Sequence, residues 1–272
     1  MGEVAAGLGD LLRSLGGSTL DLLYPPNCCG CGHAILSGDD GNRSDVEMLC
    51  LDCRKGILEP PEHRCPVCSH PMQGMLMCPN CEERHWRLEI TVAACRYEGL
   101  VRELIQRFKY GRDQSLIRPL GNLVAGALED PRLRGKAFDA IVPVPLHPLR
   151  EREREFNQSE LLARFLGKRM GIPVLDLLHR KRPTAPQAGF DRDARMRNLE
   201  GAFALRKMGK HHPDAHLLLV DDVSTTGSTL DACASVLMEE GASEVCGVIV
   251  KWGVYWIDHE KLPDKKDLIE TE

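Results

Sequence analysis

Long apolar runs are missing from this chain. Nowhere in its 272 residues do 18 apolar residues follow one another, which excludes a helical membrane span. The N-terminus lacks a basic stretch leading into an apolar one and carries acidic Glu3 and Asp10 instead, so it does not read as a signal peptide, and the cytoplasm is the expected compartment. A surplus of positive charge is missing too. The net charge is -5, which argues against a wholly basic nucleic-acid coat while leaving room for local basic patches. The motifs GxGxxG, HExxH and GxSxG do not occur. What remains is a chain 43% hydrophobic, long enough to fill one large core or two modest ones.

Cysteine is abundant and unevenly placed. Of 12 cysteines, eight form four Cys-x-x-Cys pairs: Cys28/Cys31, Cys50/Cys53, Cys65/Cys68 and Cys78/Cys81. In a reducing compartment such pairs favour metal over disulfide. Two thiolates on a tight knuckle reach one metal, and a second knuckle closes the tetrahedral shell. Eight thiolates thus supply two zinc sites. Spacing permits a sequential pairing, with Cys28, Cys31, Cys50 and Cys53 on one ion and Cys65, Cys68, Cys78 and Cys81 on the other, or a cross-braced one. Redox-active dithiols and an iron–sulfur cluster are the competing readings. A saturated shell leaves no open position, so the zinc is structural. His33, His63, His70 and His85 read as bystanders, and Cys95, Cys233 and Cys246 as small core residues.

The order of segments follows. Residues 1–26 read as an amphipathic helical segment, with Leu8, Leu11, Leu12 and Leu15 on one face. Residues 27–86 read as a Cys-rich double zinc ribbon, which needs metal staples to fold. Residues 87–256 alternate strand and helix patterns: strands at Ile90–Cys95, Ala137–Val144, Leu217–Val220 and Val245–Val250, helices at Leu100–Tyr110, Leu116–Leu128, Gln158–Met170 and Ser228–Glu240. Continuous apolar strands between helices predict an α/β fold with a parallel sheet. Residues 257–272 read as a polar tail. Because the sheet pattern starts after residue 86, a damaged ribbon is expected to leave the sheet folded.

The most informative stretch is Leu217-Leu218-Leu219-Val220-Asp221-Asp222-Val223-Ser224-Thr225-Thr226-Gly227-Ser228-Thr229. An apolar strand delivers two acids at its carboxyl end, and a hydroxyl-rich turn then opens a helix. Backbone N–H groups at a helix start bind phosphate, and the hydroxyls of Thr225, Thr226, Ser228 and Thr229 add donors. Gly227 is expected to let the backbone approach the phosphate. Asp221 and Asp222 can accept hydrogen bonds from ribose hydroxyls or hold a magnesium shell. No lysine follows the glycine, so this is not a Walker loop. The bland alternative is a capped helix whose hydroxyls satisfy its first N–H groups.

Asp221 to Thr229 resembles the signature with which type I phosphoribosyltransferases bind 5-phosphoribosyl-1-pyrophosphate (PRPP). The whole chain resembles the ComF (ComFC) family of double zinc ribbon, phosphoribosyltransferase-like competence proteins. The matching pieces are the Cys-x-x-Cys knuckles, Leu104-Ile105 through Phe108-Lys109-Tyr110, Val142-Pro143-Val144-Pro145-Leu146, Phe156-Asn157-Gln158, Arg182-Pro183-Thr184 with Gln187, Arg195 with Asn198, Gly201-Ala202-Phe203 and the phosphate loop. The resemblance implies that Asp221 and Asp222 contact ribose hydroxyls and magnesium, that Thr225 to Thr229 cradle the 5′-phosphate, that Pro145, Leu146 and His147 form the pyrophosphate loop, and that residues 179–200, with Arg180 and Lys181, form a mobile loop over PRPP. One position departs from the family, which has Arg-Gly before Phe-Asn-Gln where this chain has Arg154-Glu155. If that position needs positive φ, glutamate there costs about 1–2 kcal/mol.

Charge agrees with an anionic ligand. Between His179 and Lys207 eight basic residues face three acidic ones, a net +5 inside an acidic chain. Three functions fit: a transferase moving phosphoribose from PRPP to an unnamed acceptor, a PRPP-binding sensor without turnover, or a DNA-uptake component acting with a helicase-like or channel partner. Direct DNA binding by the ribbons is weakly encoded, since residues 27–86 hold a single aromatic, Trp86, and few basic residues.

Overall fold

The computed structural model describes residues 26–35, 48–72, 74–82, 86–182, 199, 201–207 and 213–252. The chain divides into two compact units between Ile57 and Leu58. The helical segment expected near the N-terminus, the polar tail and most of the basic stretch 179–200 lie outside the described residues.

The first unit is built on a knuckle. Asn27 and Ala34 form an antiparallel bridge, the Cys28 N–H donates to the His33 carbonyl at 2.7 Å, and Gly32 turns the chain at φ +77°. Cys50 then leads into helix α1 (Leu51–Lys55), which carries Cys53. The second unit opens with the same device. Arg64 bridges Pro71, the Cys65 N–H donates to the His70 carbonyl at 2.7 Å, and Ser69 stands at φ +61° where the first knuckle has glycine. A serine is strained there, but its buried Oγ donates to the Thr91 carbonyl at 2.5 Å and accepts from Arg132 at 3.0 Å. The repeated Cys-x-x-Cys sequence is thus a repeated backbone shape.

Strands β1 (Thr91–Cys95), β2 (Ala140–Pro143), β5 (His216–Ser224) and β6 (Glu244–Trp252) form one parallel sheet in the order β1-β6-β5-β2. Their apolar runs are buried end to end, as expected of strands with helices on their faces. Helix α2 (Gly99–Tyr110) buries Val101, Leu104, Ile105 and Phe108. Helix α3 (Ile117–Ala127) holds Pro119 in its first turn, where its missing N–H has no intrahelical partner to lose. The short α4 (Pro148–Arg154) precedes α5 (Gln158–Met170), which Gly171 ends at φ +72°. Helix α6 (Ser228–Glu239) joins β5 to β6. An antiparallel pair, β3 (Leu178–Arg180) and β4 (Phe203–Leu205), stands apart from the sheet.

The sequence pattern groups residues 27–86, whereas the structure builds the second knuckle pair into the sheet unit. Cys65, Cys68 and Cys78 belong to one apolar cluster with Leu88, Leu217, Leu230 and Trp252. Arg132 fastens it: its guanidinium grips both oxygens of Asp130, at 2.9 and 2.8 Å, and donates to the Cys65 and Pro66 carbonyls. Arg64 adds a 2.8 Å ion pair to the same carboxylate. The Thr91 N–H donates to the Val67 carbonyl at 2.6 Å, tying the knuckle to the start of β1. Residue order separates this ribbon from the sheet, whereas the packing makes its cysteines core residues of the sheet unit, so damage to the second ribbon is expected to reach the sheet.

Candidate functional site

Each set of four cysteines converges. The sulfurs of Cys28, Cys31, Cys50 and Cys53 lie within 4.8 Å of one another, as do those of Cys65, Cys68, Cys78 and Cys81. This is the sequential pairing. Individual Sγ–Sγ separations are 3.7 Å for Cys31–Cys50, 3.6 Å for Cys65–Cys81 and 3.7 Å for Cys68–Cys78. A tetrahedral zinc with bonds near 2.3 Å holds its sulfurs about 3.8 Å apart, so both sets fit the ion. The Cys50 N–H donates to Cys28 Sγ at 3.2 Å, which supports a thiolate. His33 and His70 accept from Cys28 and Cys65 through their backbone carbonyls, and His85 lies outside the described residues. Cys95, Cys233 and Cys246 are buried, and burial pushes the Cys95 and Cys246 thiols up to about 12.

At the carboxyl end of the sheet, β5 brings Asp221 and Asp222 into the interior, 8% and 7% exposed. Two adjacent carboxylates out of water cannot both ionise freely. Burial, and then the charge of Asp222, push Asp221 up to about 7. Asp221 Oδ1 accepts from Ser159 Oγ at 2.8 Å and from the Asp222 N–H at 2.9 Å. Lys109 Nζ lies 3.0 Å from Asp222 Oδ2. Lys109 offsets part of the pair's charge, and a magnesium ion or sugar hydroxyls would offset more.

The turn after β5 is a left-handed one. Gly227 takes φ +72° and starts α6. Beside the room a phosphate needs, the structure gives this glycine a second reason: a side chain here would collide with the indole of Trp86 and press on Trp252. The Gly227 N–H donates to Ser224 Oγ at 3.0 Å, and Thr226 Oγ1 lies 2.8 Å from Ser228 Oγ and accepts from its N–H at 3.4 Å. Ser224 and Thr226 therefore do hold the turn, as in a capped helix, and Thr225 and Thr229 are half-buried on the same turn. The acid pair is what a cap alone leaves unexplained.

The neighbouring strand β2 delivers Pro145, Leu146 and His147. The Val144 N–H donates to the Val220 carbonyl at 3.0 Å, so this loop starts beside the acid pair. His147 Nδ1 accepts from the Leu149 N–H at 3.3 Å and caps α4. Phe156-Asn157-Gln158 explains itself here. Asn157 caps α5 and donates to the Val144 carbonyl at 3.0 Å, Gln158 reaches the Phe108 carbonyl, and the Phe156 ring lies 5.7 Å from that of Phe108. Together they clamp the β2 loop, α5 and the end of α2 that carries Lys109. Glu155 does stand at φ +68°, in the left-handed region.

On β3, Arg180 stacks 5.3 Å from the Phe203 ring. Burial lowers its affinity for its proton, the charges of Arg150 and Arg182 act in the same sense, and Asp221 opposes them. It therefore shares the electrostatics of the acid pair. Lys181 is exposed and is placed by its backbone, which donates to the Ala202 carbonyl at 2.7 Å. Sequence reasoning missed three residues. Ser159 and Lys109 touch the acid pair directly. Lys251, 3% exposed on β6 in register with Val223, has its Nζ 2.8 Å from the centre of the Tyr97 ring, and burial, with Lys109 next, drives its pKa well below the usual lysine value. A lysine closing an apolar strand was the available signal.

Residues 19–82 match the family described as double zinc ribbon domain. Two four-cysteine ribbons preceding a parallel sheet, whose interior strand ends in a buried acid pair and a hydroxyl-rich turn, define a zinc-ribbon α/β protein. Competence protein F of Haemophilus influenzae is 33% identical, covering 72% of this chain and 87% of that protein. The DNA utilization protein YhgH of Escherichia coli is 34% identical, covering 82% and 96%. Competence protein ComFC of Bacillus subtilis is 25% identical, covering 72% and 80%. The chain belongs to the ComF family of competence proteins. Among solved structures, adenine phosphoribosyltransferase from Saccharomyces cerevisiae aligns at 15% identity with a TM-score of 0.36, over 57% of this chain and 78% of that one. Purine phosphoribosyltransferase from Pyrococcus horikoshii aligns at 20% identity and 0.31, over 54% and 90%.

Proposed function

We propose that this chain binds PRPP with magnesium at the carboxyl end of β5 and serves DNA uptake together with a helicase-like or channel protein. The observation that carries the ligand is the buried Asp221–Asp222 pair, met by Lys109 at 3.0 Å and followed at once by a helix-opening turn. In this reading Asp221 and Asp222 receive the ribose hydroxyls and magnesium, and the N–H groups and hydroxyls of Thr225, Thr226, Gly227, Ser228 and Thr229 receive the 5′-phosphate. In the same reading Pro145, Leu146 and His147 border the pyrophosphate, and Arg180 and Lys181 offer it positive charge. When bound, magnesium would neutralise the pyrophosphate oxygens; the protein's own part is to orient the sugar and keep water from it. The role in DNA uptake rests on the names of the competence relatives. Zinc fills both four-cysteine sites and acts in the cytoplasm as a folding element.

Calorimetric titration with PRPP, with and without magnesium, tests the ligand. Binding is expected with the metal. Asp222→Asn keeps the shape and removes a charge, and is expected to lose binding with little change in fold. Equal affinity in that variant would reduce the turn to a helix cap. Steady-state release of pyrophosphate in the presence of candidate acceptors distinguishes a transferase from a sensor.

A further inference from the structure

We infer that Trp86 is a positioning residue for the turn at Gly227, linking the second four-cysteine ribbon to the ligand site; this rests on the PRPP reading above. Trp86 lies five residues beyond Cys81, the last ligand of the second set. Its indole occupies the place a Gly227 side chain would take, beside the Trp252 ring. The next residue ties the segment down: the Arg87 N–H donates to Asp231 Oδ1, in the first turn of α6, at 2.8 Å. Leu88 follows into the core and packs beside Gly247 of β6. The segment leaving the ribbon therefore touches the turn, the helix it opens and the neighbouring strand in three successive residues.

The packing continues back into the ribbon. Trp86, Val67, Met72 and Cys81 all pack against the cluster that holds Cys65, Cys68, Cys78, Leu230 and Trp252. Glycine takes the left-handed conformation without strain, but it takes many others as readily, so the surroundings must specify this turn. Ser224 and Thr226 specify it from within. Trp86 specifies it from outside, as a flat wall that admits only glycine. The turn's backbone is then fixed before a phosphate arrives, and a pre-set site binds more tightly than one that must be ordered by its ligand.

Trp86→Ala removes the wall, and Trp86→Phe keeps an aromatic face with a shorter reach. Hydrogen exchange at the amides of residues 225–229, measured without ligand and at equal zinc content, is the first readout. Exchange is expected to rise strongly in Trp86→Ala and to stay near the parent rate in Trp86→Phe. Calorimetry with PRPP and magnesium is the second. Affinity is expected to fall by about tenfold to a hundredfold in Trp86→Ala and to be largely recovered in Trp86→Phe. Unchanged exchange and unchanged affinity in a folded, zinc-replete Trp86→Ala protein would overturn the inference. If the parent itself fails to bind PRPP, the ligand reading falls, while the exchange experiment still decides whether Trp86 holds the turn.

Discussion

Asp221 ties the site to pH. In the unfolded chain its carboxyl titrates at about 3.9; in the folded one, burial and then Asp222 push it up to about 7. Between those values the folded state holds a proton that the unfolded state has lost. Stability from this group is therefore fullest below about pH 4 and falls as pH rises towards 7. Asp221→Asn keeps an oxygen for Ser159 and removes the titration. Without ligand, it is expected to be more stable than the parent by about 2 kcal/mol at pH 7.5, with a melting temperature that no longer drops through that window. A variant that keeps the parent's slope would place the titration elsewhere. Glu155 offers a second single-residue test. It holds φ +68° and pairs with Arg112 at 2.5 Å, both side chains being more than half exposed. Exposed pairs contribute little, whereas a left-handed non-glycine residue costs about 1–2 kcal/mol. Glu155→Gly is expected to raise the urea midpoint by an amount equivalent to about 1 kcal/mol; a lowered midpoint would show that the ion pair outweighs the strain.

Helix α5 matters to the site through its first residues. Asn157 caps the helix with one side-chain atom and holds the Val144 carbonyl with another, so two neighbouring loops depend on it. Asn157→Ala is expected to cost about 2 kcal/mol, roughly half from the cap and half from a buried carbonyl left unpaired. Asn157→Ser keeps the cap and is expected to recover about half; chemical denaturation of the pair measures both. Elements with one strong periodicity were legible in sequence. Helix α5 runs from Gln158 to Met170 as its apolar stripe and Gly171 dictate, and β5 and β6 extend their apolar runs by a few residues. The five-residue α1 and the three-residue β3 and β4 were not legible, because segments that short carry no period. The metal ligands announced themselves by spacing, and the acid pair by its place after an apolar run. Lys109 and Ser159 did not, since each reaches the pair across the fold: Ser159 Oγ meets a residue 62 positions away.

At the scale of the molecule, the two metal sites have unequal consequences. A structural zinc contributes about 10–16 kcal/mol at neutral pH, while a whole domain is stable by only about 5–15 kcal/mol. A site that shares a core with the sheet therefore controls the sheet's stability. The second site does share it: Cys68 is 0% exposed and lies in the apolar cluster of Leu217 and Trp252. The first site lies in the other compact unit, on a knuckle closed by its own bridge and helix. Cys31→Ser is accordingly expected to lose one zinc of two, open residues 26–57 to protease and leave the sheet's cooperative melt in place. Cys68→Ser is expected to lose one zinc and the melt together. PRPP at about a hundred times its dissociation constant returns only about 2.7 kcal/mol, too little to rescue the Cys68 variant and enough to raise the melting temperature of the Cys31 variant as in the parent. Elemental analysis with calorimetric melting of both proteins, with and without PRPP, separates these outcomes. A Cys68 variant that still melts cooperatively at the parent temperature would mean that the apolar packing, and not the metal, holds this ribbon against the sheet.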